Sequence, residues 1–256
     1  MGTHIRITPQ FRDAQTGKIV GVAKLDGTVD DIFALQDRIV TNLMDVLDIE
    51  LSTGEHEKIG KNETSTLEAY EWYARGRQLF TRFNEDSFRE AAECYERAVS
   101  IDPEYALAHS GLGSIVIFRY IGRGDPRDLD EGIERLKRAA ELDAELGEAH
   151  QWLTYAYTRK KMYDEAKRAG RRAIELEPDN AFAHYFLSAA LHIPGPVSGS
   201  RYVAAVPMYQ RTIDLDPTHQ PAHAGWANRR SVPGASTEPS SNSRKVAKWR
   251  RRTAQK

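Results

Sequence analysis

The sequence predicts a mainly α-helical solenoid of about four helix pairs, with a partial α/β segment before it and a disordered basic tail after it. Three observations lead to this expectation. One short pattern recurs at Ile101–His109, Leu142–His150, Leu176–His184 and Leu215–His223, each copy closing on an Ala-His pair. Its third positions, Pro103, Ala144, Pro178 and Pro217, lie 41, 34 and 39 residues apart. A period of about 34 residues marks stacked helical pairs, each unable to bury its apolar face without a neighbour. The helix before each copy also ends alike, with Ala98, Ala139 and Ala173 three residues ahead of Ile101, Leu142 and Leu176.

The elements follow in order. Residues 1–52 form the partial α/β segment. Ile5 and Ile7, then Ile19, Val20 and Val22, are β-branched clusters split by Asp13–Gly17, a hairpin turn in which Gly17 supplies positive φ. No strand is expected beyond residue 26. From Thr28 an amphipathic helix is expected, because Ile32, Leu35, Ile39, Leu43 and Val46 recur every three or four residues. Thr28 or Asp30 would cap it. Residues 53–64 are polar and aperiodic, a linker. Residues 65–228 hold the helical array, expected to be all helix over 66–227. Residues 229–256 carry nine basic residues against Glu238 alone and are expected to be disordered.

Composition narrows the function classes. With 36 basic and 37 acidic residues, no whole-protein field favours nucleic acid or membrane. Cys94 is the single cysteine, which excludes an internal disulfide and a multi-cysteine zinc site and fits a reducing, cytoplasmic location. No apolar run is long enough to span a bilayer. Residues 1–20 are too polar for a secretory signal.

Aligned, the copies resemble the tetratricopeptide repeat family. The third copy shows it best, in Trp152–Tyr157, Lys161–Ala166 and Ala173–Pro178. Gly76, Gly113, Ala91, Ala166, Ala98, Ala139 and Ala173 match positions where that family lets helices approach closely, and Pro103, Pro178 and Pro217 match its helix-terminating proline. Departures are Ala144 in place of the proline, Gly132 in place of a packing alanine, and longer turns at Arg123–Pro126 and His192–Gly199. The last copy keeps only its first helix. The stretch from Ile5 to Asp37 resembles the end of a small α/β domain that precedes such repeats in bacterial adenylate/guanylate cyclases and some transcriptional regulators, proteins of bacterial signalling.

The family resemblance implies that first helices line a concave groove that binds a protein or peptide. By register the candidate contacts are Tyr70, Tyr73 and Arg77, then Leu107, Ser110 and Ser114, then Glu148, Gln151, Tyr155 and Arg159, and last Phe182 and Tyr185. Aromatics with a few arginines suit an extended or helical peptide held by apolar anchors. The Lys/Asn pattern of repeats that clamp a terminal carboxylate is absent. The same tyrosines would also serve to pack against the next helix. Truncating Tyr155, Tyr185 or Arg159 is expected to weaken binding and leave folding nearly unchanged.

Other constellations have blander readings. His109, His150, His184 and His223 fall at one repeat position, on first helices about 10 Å or more apart. One zinc, with bonds of about 2 Å, cannot gather them, so they read as structural. Gly111-Leu112-Gly113 lacks the strand and Lys-Ser/Thr of a phosphate loop. No catalytic motif is present, so no enzyme, cofactor or metal is expected; Arg123-Gly124-Asp125 reads as chance and Cys94 as a packing residue. The tail, with Arg244, Lys245, Lys248, Trp249, Arg250, Arg251 and Arg252, offers nucleic acid an electrostatic contact; the preferred reading is a solvated end. The sequence thus points to a cytoplasmic, non-catalytic protein-binding module. The alternative is the regulatory carboxy-terminal part of a nucleotide cyclase or transcriptional regulator whose catalytic or DNA-binding head is absent.

Overall fold

The computed structural model describes residues 4–12, 16–22, 24–28, 34–35, 38–39, 41, 64, 66–192 and 199–227. Contacts divide the chain into two units, 1–71 and 72–256. In the first, β1 (His4–Ile7) pairs antiparallel with β4 (Leu25–Thr28), and β2 (Gln10–Arg12) pairs with β3 (Ile19–Val22). Ile7 faces Leu25 and Gln10 faces Val22, so the two ladders are successive parts of one hairpin. Pro9 lies between them, where its missing N–H cannot join a ladder. Near the tip Gly17 takes φ 69°, the left-handed conformation expected of the turn.

One expectation is corrected here. The strands run past residue 26, since β4 ends at Thr28, whose backbone pairs with His4. Ala34, Leu35, Arg38, Ile39 and Thr41 are helical, as the apolar period predicts. Leu35 is fully buried and packs over Gly27, where a Cβ would come within 2.9 Å of its side chain. Asp30, Ile32, Leu43 and Val46 of the expected helix lie outside the described residues. So do the linker, Thr64 apart, and the tail 229–256.

The array consists of α1 (Leu67–Phe80), α2 (Glu85–Ile101), α3 (Ala106–Arg123), α4 (Pro126–Leu142), α5 (Gly147–Arg159), α6 (Tyr163–Leu176), α7 (Ala181–Leu191), α8 (Gly199–Leu215) and α9 (Gln220–Ala227). No strand interrupts it among the described residues. Each helix packs on its sequence neighbour from α2 onward, and α5 also touches α3 and α7 directly, which places the first helices side by side.

Local chemistry sets the helix ends. Asn84 and Ser87 form a reciprocal capping box at α2; Asp125 caps α4 with Pro126 in its first position; Asn180 caps α7. The turn inside each of the first three repeats places a left-handed residue just before the next helix's cap. These are Phe83 (φ 52°), Gly124 (φ 74°) and Lys161 (φ 63°).

The turns between repeats are locked twice. The carboxylates of Asp102, Asp143 and Asp216 accept the backbone N–H two residues on, at 3.0, 3.0 and 2.9 Å. Nε2 of His109, His150, His184 and His223 then meets the carbonyl six residues back, at 3.0, 3.2, 2.9 and 2.9 Å. The recurrent Asp-Pro and Ala-His of the sequence are therefore two ends of one turn. In the third copy Glu177 replaces the aspartate and accepts from the Asn180 amide at 2.6 Å.

The core is continuous along the stack. Tyr95 of α2 is fully buried between α1 and α3, and a Cβ at Gly76 or Gly111 would fall 2.6 or 2.7 Å from its ring. Further on, Ile117, Leu136, Trp152, Leu153, Ala156 and Phe186 join α3 to α7.

Candidate functional site

The face built by the first helices is where binding chemistry is expected, and the structure sorts the twelve candidates into three groups. Ser110, Ser114 and Gln151 are buried, at 0%, 1% and 7% exposure, and do not line a groove. Ser114 donates its hydroxyl to the Gly111 carbonyl at 2.8 Å, and Gln151 accepts from the Asn180 amide at 2.7 Å. The correction has a simple cause. Every residue of α3 from Ala108 to Ile117 is buried, because this helix is wedged between its neighbours. Repeat register names a helix face and leaves its depth open.

A second group is engaged within the protein. Tyr73 lies 5.7 Å from Tyr95 and 5.1 Å from Tyr105, ring to ring, so it packs the first repeat against the second. Arg77 on α1 bonds to Glu148 on α5 at 3.2 Å, across 71 residues of sequence. Burial pushes the Glu148 carboxyl up from its ordinary range; Arg77 opposes that shift and neighbouring Glu177 adds to it. Tyr70 and Leu107 are half-buried on α1 and α3.

The third group gathers on α5 and α7. Phe182 is 53% exposed. Tyr155 and Tyr185 are half-buried, their rings 5.3 and 5.9 Å from Phe186. Tyr185 also sits 4.5 Å from the His219 ring. Both therefore carry packing as well as surface. This corrects the expectation that truncating them leaves folding nearly unchanged. Arg159 is exposed, its guanidinium 5.7 Å from the Tyr120 ring centre and its Nε 3.4 Å from that phenol oxygen.

Register reasoning missed Tyr120, which comes from α3 to stand beside Arg159, and Phe186 and His219, which back the tyrosines. It also missed a cleft of about 520 Å³ lined by Phe83, Phe88, Ala92, Ile115, Phe118 and the arginines Arg89, Arg119 and Arg123. Phe83 is 65% exposed there, although its left-handed backbone is one that glycine adopts more readily. The arginines of the cleft are already paired: Arg89 with Asp86, Arg119 with Asp128 and Glu131, and Arg123 with Glu85.

Among the described residues no three His, Cys, Asp or Glu side chains gather as metal ligands, and no helix is long and apolar enough to cross a membrane. Buried Cys94 packs with Ala91, Tyr95 and Leu112, and burial pushes its thiol up, away from the reactive thiolate.

Comparison with known proteins agrees with this architecture. The tetratricopeptide repeat family profile matches residues 81–105 and 147–180. A crystal structure of MamA protein superposes with a TM-score of 0.52 at 24% identity, covering 73% of this chain and 94% of that one. The MamA RS-1 ArsTM double mutant gives 0.53 at 16% identity, covering 74% and 98%. These likenesses concern the fold. In sequence, "Putative adenylate cyclase 3" of Rhizobium meliloti (strain 1021) is 32% identical over 168 residues, 64% of this chain. The chain spans 29% of that protein's length.

Proposed function

Because the chain is a tetratricopeptide repeat protein, we propose that it works as a cytoplasmic, non-catalytic module that binds a partner protein or peptide on the face formed by its first helices. The observation that carries this reading is the patch on α5 and α7, where the rings of exposed Phe182 and half-buried Tyr155 and Tyr185 all meet Phe186. Aromatic side chains with one ring face free are efficient anchors, burying much area with few rotors to fix. Half-buried tyrosines keep their shape without a ligand, so the surface is pre-organised.

The test is capture from a bacterial lysate followed by calorimetry with the captured protein. Phe182→Ala should weaken that binding by about 1–2 kcal/mol and keep the helicity, with only a small fall in Tm from its ring contacts with Phe186 and His219. Binding that survives Phe182→Ala and Tyr155→Ala but disappears when residues 1–52 are deleted would overturn the reading.

The likeness to an adenylate cyclase favours one second reading. In it this chain corresponds to the regulatory part of a nucleotide cyclase, the repeats receiving a signal for a catalytic head. The genomic reading frame ahead of Met1 tests it: an in-frame cyclase head supports it, an in-frame winged-helix head points instead to a transcriptional regulator, and a stop codon directly upstream excludes both.

A further inference from the structure

We propose that Arg159 and the tyrosines beside it select a carboxylate side chain on the bound peptide, next to an apolar side chain held at Phe182. This rests on the binding face proposed above and names the chemistry of its partner.

The two groove arginines differ in state. Arg77 is already neutralised by Glu148, 3.2 Å away. Arg159, on the last turn of α5, is exposed and meets no carboxylate among the described residues; its contact is the Tyr120 phenol and ring. Lys160 beside it is paired with Asp130, whereas the guanidinium of Arg159 meets only Tyr120 among the described residues.

The surroundings suit an anion. Tyr155 lies one turn before Arg159, and Arg159, Tyr120 and Tyr185 all act on it electrostatically. The hydroxyls of Tyr155 and Tyr185 make no hydrogen bond within the protein among the described residues. A guanidinium fork and two free phenol donors thus border the same stretch of the face. Such a fork binds a carboxylate through two parallel N–H bonds. The Tyr120 ring already rests against the guanidinium, which reduces the rotamer freedom lost on binding. Phe182 stands one helical turn before Tyr185 on α7, so an apolar residue near the acid has a surface to meet.

The test uses random twelve-residue peptides displayed and selected on the full chain. The wild type should enrich Asp or Glu within a few residues of a bulky apolar residue. Arg159→Gln should lose the acidic preference and keep the apolar one, and Arg159→Glu should turn it toward Lys or Arg. With one selected peptide made synthetically, Arg159→Gln should weaken binding about tenfold. The same peptide with Glu replaced by Gln should bind wild type and variant alike. An acidic preference that persists in Arg159→Gln, or a wild-type selection that is apolar only, overturns the proposal while leaving the binding face standing. No enrichment of any kind overturns both.

Discussion

His109 and His150 show how one residue can serve a fold through its protonation state. Nε2 must carry the proton to donate to the carbonyls of Pro103 and Ala144. Nδ1 of His109 is buried without a partner, so charging that ring would place a second N–H where nothing accepts it. Burial is the main cause that lowers both imidazoles from the ordinary histidine range. Arg135 and Arg138 add to it at His109, and Arg172 at His150, against the carbonyl bonds. As pH falls through about 6.5 the unfolded chain takes up these protons first. Stability from the neutral rings is therefore complete above that value and declines below it, toward the lowered folded-state range. Thermal melts should show Tm falling between about pH 7 and 5, with part of the fall removed in His109→Asn/His150→Asn. Lys161 poses a backbone question at the same scale. It is exposed at φ 63°, in the slot Gly124 fills one repeat earlier. Lys161→Gly should raise stability by up to about 1 kcal/mol, and Lys161→Val should lower it, since a β-branched residue fits that region worst. Denaturant titration separates the two.

At the scale of elements, helix spacing depends on small residues that leave room for large ones. Tyr95 occupies the gap between α1 and α3 only because Gly76 and Gly111 present no Cβ to its ring. Gly111→Ala should destabilise the array by about 1–3 kcal/mol through overpacking, and much of that should return in the Gly111→Ala/Tyr95→Leu double variant. Ala166 and Ala173 stand at 0% and 1% exposure on α6, where a bulky replacement such as Ala166→Leu should cost a similar amount. The positions of these small residues were legible in the sequence because they recur in register. Which large side chain fills the space each leaves was not, because Gly76, Tyr95 and Gly111 come together only when α1, α2 and α3 are stacked. The buried serines of α3 illustrate the same limit. Their spacing is that of a surface stripe, and their depth follows from neighbours on every side.

At the scale of the array, each repeat touches mainly the next, so stability is distributed along the stack and not centred on one nucleus. The end of such a stack has one neighbour instead of two. Native-state hydrogen exchange should accordingly be fastest in α9, whose eight residues pack chiefly on α8, and slowest in α3 to α5, where the core is thickest. Uniform protection along the chain would contradict the linear picture. The Arg77–Glu148 bridge skips the second repeat and ties α1 to α5, an exception to this pattern among the described residues. Its 71-residue separation explains why no local pattern announces it.

Repeat length, helix order and terminating prolines could be read from the chain alone, because each rests on contacts within about one repeat; the four histidines were legible only as a recurrent position, and their bond to the carbonyl six residues back came from the structure. The stacked structure decided the rest. It buried Ser110, Ser114 and Gln151, neutralised Arg77, left Arg159 beside Tyr120, and turned Tyr155 and Tyr185 into residues that both pack and face outward. The physical reason is that depth and charge pairing depend on how far one helix shifts and turns against the next, a geometry set by the sum of many side-chain volumes and written at no single position.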